Sequence, residues 1–405
     1  MPDEEKVRAV REALPATAAG LYLNTGTAGP VPAETAKAMA DSEASELAIG
    51  RAHKDYWPDT LVRIDEARAA VAAVVGGRLD EIALTHATTF AMNAAVWSVP
   101  WQPGDRAVTT RHEHAGGLAA LYAVRDRFGI ELAFVEPDPD GDDVRTVAAF
   151  DRAVTPGTRL VAVSHVLWTT GALLPVRQIA EIGRARGARV VVDGAQAAGT
   201  IPVSVADTGA DFYALAGQKW LLGPEGTGAL WCDRAAIDEA LVTFAGYPGF
   251  ESITADGAVR QPDARRFQVS GFNRGLVIGL ARSCGWLSMF VGLDWIHARA
   301  TTLAARTRAT LGAISGVRVL TPERMATLVT FTIDGWPAEA ALDELGGRVF
   351  AIARAIPALD AIRVSVGFFN TDDEIDRLAD CVRLLARHRP GTLPPRRLLT
   401  IVNEA

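Results

Sequence analysis

Lys219 stands apart from every other basic residue in this chain. Lysine and arginine total 41, yet only Lys6, Lys37, Lys54 and Lys219 are lysines. Lys6 lies in a polar N-terminal arm, Lys37 on a helix face and Lys54 in a charged segment. Lys219 alone is set in apolar, glycine-rich sequence, Ala214-Leu215-Ala216-Gly217-Gln218-Lys219-Trp220-Leu221-Leu222-Gly223. Desolvation there favours the neutral amine, a nucleophile toward aldehydes, whereas a guanidinium stays protonated and cannot take its place. Upstream, the apolar run Val190-Val191-Val192 leads into Asp193, then small residues and Gln196. The run has the pattern of a strand buried on both faces of a parallel sheet, and Phe212–Ala216 has the same pattern. An acid at the end of one such strand and a lysine just past the next suit a ring cofactor spanning both. The acid pairs with a pyridinium nitrogen and the lysine forms an imine with an aldehyde. That is the chemistry of pyridoxal 5'-phosphate (PLP).

Further chemistry falls where other strands end. Ile82–Thr85 leads into His86-Ala87-Thr88-Thr89, which enters a helix; hydroxyls and free N–H groups there either cap the helix or receive a phosphate. Asp105–Thr110 ends in Arg111-His112-Glu113-His114. An imidazole at that position can shuttle protons near neutral pH. His112 and His114 alternate as strand residues do, but no ligand cluster accompanies them, so no metal is assigned. Arg363 begins a strand and offers a planar fork for a carboxylate; Arg354, nine residues earlier, is a second candidate.

These stretches together resemble the class V group of fold-type I PLP enzymes. That group includes cysteine desulfurases, cysteine C–S lyases, isopenicillin N epimerase and kynureninase. The resemblance is carried by D-G-A-Q at 193–196, K-W-L-x-G-P-x-G-T-G from Lys219, and R-x-S-x-x-x-x-N-T-x-x-[DE] from Arg363. The run S-H-x-L-W-x-T-G-x-x-L-P from Ser164 is closely similar to one in the cysteine C–S lyases. The resemblance implies Lys219, His114 and Asp193 as catalytic residues. It assigns Ala87, Thr88 and Thr89 to the cofactor phosphate and His114 to the ring face, with Gln196 and Gln218 also on the cofactor. Thr25 and Gly26 belong to a small-residue loop at the substrate entrance, Trp168 to an aromatic wall, and Arg363, with Arg354, to the substrate carboxylate. Arg265–Gly271 is similar to the group's R-F-E-x-x-T segment, implying a homodimer in which Ser270 and Gly271 reach the neighbouring subunit's phosphate.

The chain also departs from the group. Ala216 and Gln218 stand where Ser or Thr and His usually precede the lysine, and Gly271 replaces the threonine of R-F-E-x-x-T. The phosphate must then rely on Thr88, Thr89 and backbone donors. A desulfurase needs a mobile nucleophilic cysteine ahead of the Arg363 element, and residues 318–350 contain none. The expected reaction is therefore β-elimination at the C–S bond of cysteine, cystine or an S-conjugated cysteine, in natural-product biosynthesis for a bulky conjugate. Tyr56, Trp57, Trp97 and Trp168 are expected near the mouth. Decarboxylation with oxidative deamination, racemisation and desulfuration are the alternatives.

Strands alternating with helices over residues 80–230 require an α/β fold with a mostly parallel sheet. The resemblance makes this a seven-stranded type of sheet flanked by helices, with a smaller α+β C-terminal domain. Boundaries are drawn as an N-terminal helical arm at 1–20 packing with the small domain, a PLP-binding domain at 21–263 and a small domain at 264–405. The apolar stretch Leu398–Ile401 in the tail is read as packing on the body or a partner subunit. A net charge of −7 argues against nucleic acid and acidic membranes as partners. No signal-like stretch opens the chain, and three cysteines make no disulfide framework, so a cytoplasmic location is expected.

Overall fold

The computed structural model describes residues 3–396; Leu398–Ile401 lies outside them. Seven strands form the main sheet, in the spatial order Ile82–Thr85, Gly228–Cys232, Phe212–Ala216, Arg189–Asp193, Thr158–Ser164, Arg106–Thr110 and Glu131–Val135. Only Gly228–Cys232 runs against its neighbours; the other strands are parallel. The seven-stranded, mostly parallel α/β architecture expected above is what the chain adopts.

Strand periodicity explains why both faces are apolar. Val190 and Val192 join one hydrophobic cluster with Tyr213 and Leu215. Val191 joins the cluster on the opposite face with Phe212 and Ala214. Successive side chains alternate sides, so a sheet covered by helices on both faces needs unbroken apolar runs.

A second, four-stranded antiparallel sheet holds Val317–Val319, Leu328–Ile333, Ala361–Ser365 and Arg354–Ile356 in that order. Helices Leu293–Gly312, Ala338–Val349 and Asp372–Ala386 contribute to its core. Core membership does not follow the boundaries drawn at 21 and 263. Leu21 and Leu23 belong to the core of the small sheet, and Leu21–Tyr22 pairs with Ala351–Ile352. Val277, Leu280 and Cys284 of helix Arg274–Gly285 belong instead to the core of the main sheet. The N-terminal helix Asp3–Ala13 and its end place Val10 and Leu14 against Trp286, Ile296, Phe368 and Phe369. The polar run before Asp263 forms an exposed hairpin, Phe250–Thr254 with Gly257–Arg260.

Two loops clasp the small sheet onto the main one. Asn24–Pro30 starts beside Ser365, whose N–H donates to the Leu23 carbonyl at 2.7 Å. It ends at the lysine turn, where the Gly29 N–H donates to the Gln218 carbonyl at 2.8 Å. The segment Val166–Leu173 docks on Leu328–Ile333, with Thr330 Oγ1 donating to the Thr169 carbonyl at 2.8 Å. Thr321 Oγ1 donates to the Thr170 carbonyl at 2.5 Å. Gly171 makes this approach possible: its φ is +81°, and a Cβ there would stand 2.2 Å from the Leu328 carbonyl oxygen.

Gly171→Ala should therefore destabilise the fold by about 1–3 kcal/mol through overpacking, with its positive φ as an added strain. Gly157→Ala has a comparable φ of +97° but open space around the added methyl, so it should cost only about 1 kcal/mol. Urea unfolding midpoints of the two variants test this; equal shifts would remove the docking argument.

Candidate active site

A cavity of about 180 Å³ opens where the C-terminal edge of the main sheet meets the small sheet. This is the crevice in which open α/β sheets bind ligands. Its walls include Gly26, Thr88, Thr89, His114, Trp168, Asp193, Gln196, Gln218, Lys219, Arg354 and Arg363. Eleven residues singled out from the sequence thus converge from eight separate segments. Larger grooves of about 660 and 910 Å³ lie elsewhere on the surface, without a comparable set of chemistry-bearing side chains.

Asp193 ends its strand, is buried, and accepts the Ala195 N–H on Oδ1 at 2.9 Å. Lys219 lies in the turn after the adjacent strand. Burial pushes its pKa down to about 8; Asp193 opposes that shift, and Arg363 and Arg354 reinforce it. The amine is thereby brought close to the neutral range where it can act as nucleophile and base. Gln196 holds the entrance loop: its Nε2 donates to the Gly26 carbonyl at 2.8 Å, and its Oε1 accepts Trp220 Nε1 at 2.9 Å.

His114 caps helix Ala115–Phe128, its Nδ1 accepting the Gly116 N–H at 3.1 Å. That bond leaves the proton of the neutral ring on Nε2. The ring lines the cavity, and partial burial, then Lys219, lower its pKa. Beneath it, the buried Glu113 accepts Thr110 Oγ1 at 2.7 Å and Ser164 Oγ at 2.5 Å. Burial raises the Glu113 pKa to about 7 against those hydrogen bonds. Glu113 thus ties the loop carrying His114 to two strand ends.

Thr88 and Thr89 open helix Thr88–Trp97, whose N-cap is Ala87. No side chain caps that helix, so a ligand phosphate can take its leading N–H groups and hydroxyls. Ala87 contributes backbone only and does not line the cavity. Gly116 and Gly117 do line it; a Cβ on Gly116 would stand 2.2 Å from Thr89 Oγ1. These two glycines, with Thr27, Met92 and Ala195, escaped the sequence reading. The pair in Ala115-Gly116-Gly117, an unusual opening for a helix, was the available signal.

Arg363 is about 1 % exposed, and its Nη1 donates to the Trp168 carbonyl at 2.8 Å. Its Nε and Nη2 are buried without a partner. Burial, then the charge of Arg354, pushes its pKa down to about 9, which keeps it cationic at neutral pH. Arg354 lies directly across the strand pair from Arg363, donates to Thr27 Oγ1 at 3.2 Å and stacks over Trp168 at 5.7 Å. Two facing arginines on one strand pair repel. An anionic ligand relieves this.

Other expectations fall elsewhere. Thr25 is fully buried behind Gly26 and does not reach the cavity, because the loop turns its neighbour inward instead. Ser270 and Gly271 line a separate recess with Trp57, Tyr247 and Phe272. Of the aromatic residues placed near the mouth, only Trp168 is there. Tyr56 bonds Glu46, Trp57 packs on Tyr247 and Trp97 packs on Phe128. Their helices carry them to other surfaces, a matter of helix direction that no local motif encodes.

The residues fit PLP: a desolvated lysine, one carboxylate on the neighbouring strand, an uncapped helix start with two hydroxyls, and buried cations for the ligand's acid. This fold and site define a PLP-dependent enzyme of fold type I. The Aminotransferase class-V family matches residues 21–378, and the chain belongs to that family. It is 30% identical over 343 residues to a probable cysteine desulfurase of Xylella fastidiosa Temecula1, covering 81% of this chain and 82% of that one. It is 32% identical over 387 residues to isopenicillin N epimerase of Streptomyces clavuligerus, covering 90% and 94%. The solved structure of the cystine C–S lyase C-DES with its reaction product cysteine persulfide superposes with a TM-score of 0.86. That match has 26% identity over 91% of this chain and 99% of that one. A C-DES variant with glycine covalently linked to its PLP cofactor gives 0.87, at 26% identity over 92% and 98%. PLP is the cofactor, and the C–S lyases and desulfurases are near relatives.

In the cofactor-free protein, labelling of Lys219 by an amine-selective reagent should rise with a midpoint near pH 8, since the reactive neutral form gains as pH increases. Mass-spectrometric peptide mapping across pH 6–11 measures it. Lys219→Ala should abolish the near-visible band formed on adding PLP; a pyridoxyl group trapped on another lysine after borohydride reduction would overturn the assignment.

Proposed function

We propose that this chain is a C–S β-lyase acting on cysteine, cystine or an S-conjugated cysteine, releasing a thiol or persulfide, pyruvate and ammonia. One observation carries the choice within the family: no thiol reaches the cavity. Cys232, Cys284 and Cys381 are all buried, none lines the site, and burial pushes the Cys284 thiol up to about 12 and that of Cys381 to about 11. The thiolate is the nucleophile, so none of the three serves as a sulfur acceptor.

Elimination needs no thiol, only the cofactor and residues that line the cavity. Arg363 binds the substrate carboxylate through Nε and Nη2 and fixes which α-bond faces Lys219. Lys219 Nζ takes the α-proton. Bound PLP supplies the electron sink that makes this proton removable. Asp193 would pair with the cofactor's pyridine nitrogen, and the Cβ–S bond breaks as sulfur leaves with the electron pair. His114 lines the same cavity and, with its proton on Nε2, protonates the departing sulfur. The three-carbon fragment hydrolyses to pyruvate and ammonia. The recess holding Ser270 and Gly271, apart from this chain's own cavity, supports a homodimer in which that segment serves the second subunit.

The relationship to isopenicillin N epimerase favours racemisation as the second reading. Incubation with cysteine, cystine and an S-alkyl cysteine should yield thiol (or persulfide) and pyruvate in equal amounts, without carbon dioxide or oxygen uptake. Optical inversion of an intact substrate indicates the racemase instead. Carbon dioxide with a thioether aldehyde indicates oxidative decarboxylation. Arg363→Ala should lower kcat/KM by the equivalent of about 2–5 kcal/mol, as for loss of one partner of a buried charge pair, while the resting spectrum persists. Unchanged kinetics would move the carboxylate site to Arg354.

A further inference from the structure

Among the described residues, three buried nitrogen donors without a partner belong to residues lining this one cavity: Arg363 Nε, Arg363 Nη2 and Trp168 Nε1. The two arginine nitrogens are accounted for by a substrate carboxylate. The indole N–H is not, and a buried donor left without its hydrogen bond is destabilising. Trp168 has little freedom to find an acceptor within the chain. Its carbonyl holds Arg363 Nη1, Arg354 lies over its ring, and His114 meets it edge-on with centroids 5.6 Å apart. The backbone that follows is tied to the small sheet at Thr169 and Thr170. A phenylalanine would supply the same apolar wall without an unsatisfied donor.

The acceptor is identified by counting lone pairs. A carboxylate presents about four acceptor directions, of which the free fork of Arg363 takes two. The Trp168 carbonyl already holds Arg363 Nη1, and the two neighbouring residues line the same cavity. We propose that Trp168 donates its Nε1–H to the same substrate carboxylate that Arg363 binds, which makes it a specificity-determining residue for substrates with a free α-carboxylate. This rests on the amino-acid reading above. The cation over the indole face draws electron density from the ring and strengthens the donor.

The test compares the holoenzyme with Trp168→Phe and with a chain carrying 3-benzothienylalanine at 168, an isostere with sulfur in place of N–H. Each is assayed with an S-alkyl cysteine and with its carboxamide, and titrated with the substrate acid while the near-visible band is followed. Loss of one hydrogen bond to a charged group should raise KM and the apparent Kd for the acid on the order of tenfold to a hundredfold, with kcat nearly unchanged. The carboxamide should change little, so the preference for acid over amide falls by the same factor in both variants. Equal losses on acid and amide would make Trp168 a structural wall and overturn the inference. A shifted resting band with intact acid preference would also overturn it, by assigning the N–H to the cofactor's ring oxygen. Normal turnover with an intact preference defeats the inference alone. A wild-type enzyme inert toward every amino acid defeats the functional reading and the inference together.

Discussion

The buried guanidinium of Arg363 is the constraint around which the two sheets are arranged. A cation removed from water is costly unless it is paired, and here only one of its nitrogens finds an acceptor, the Trp168 carbonyl. Arg354 beside it adds a like charge across the strand pair. The small sheet therefore brings to the interface a site of unmet demand for an anion. The main sheet brings Lys219 and Asp193 to the other side of the same cavity. The two clasping loops hold that opposition. Without them the cations would be solvated and the lysine pKa would lose part of its depression, since Arg363 and Arg354 both contribute to it.

Catalytic competence in this arrangement is largely a matter of where strands end. Asp193 terminates one strand, Ser164 lies at the matching position on its neighbour, and Lys219 follows the next. Parallel strands put all three at one edge, and Glu113 uses Ser164 and Thr110 to fix the His114 loop to that edge. Lys219, Asp193 and His114 are thus held close to the ends of strands, by backbone geometry and buried hydrogen bonds. Such preorganisation avoids reordering during the reaction.

The phosphate end is built more sparely. Ala216 brings no hydroxyl, and Gln218 brings an amide whose Oε1 is buried and unpartnered. The lining cations, Lys219, Arg354 and Arg363, are committed to the reacting end of the site. Thr88, Thr89 and the uncapped helix start are what the chain itself offers. On the proposed reading, positive charge is concentrated on the substrate's acid rather than on the cofactor.

Much of this was legible from sequence because it is local. The strand runs at 190–193 and 212–216 alternate between two cores, and a parallel sheet buried on both faces permits no other composition. Lys219 was identifiable as the one lysine in apolar sequence, and Asp193, His114, Thr88 and Thr89 follow strands at positions where such sheets gather ligands. Tertiary structure alone decided which distant segments share a wall. Leu21 and Leu23 pack into the core of the small sheet, and Leu21 pairs with Ala351, 330 positions away, a contact that no local pattern announces. Trp57 and Trp97, plausible as mouth residues by composition, are carried off by the direction of their helices. The orphaned nitrogens of Arg363 and Trp168 are likewise invisible in sequence, because an unmade hydrogen bond is defined by everything packed around it. Sequence sets each residue's chemistry and local periodicity; only the packing of loops between two sheets determines which donors are left without partners for a substrate to satisfy.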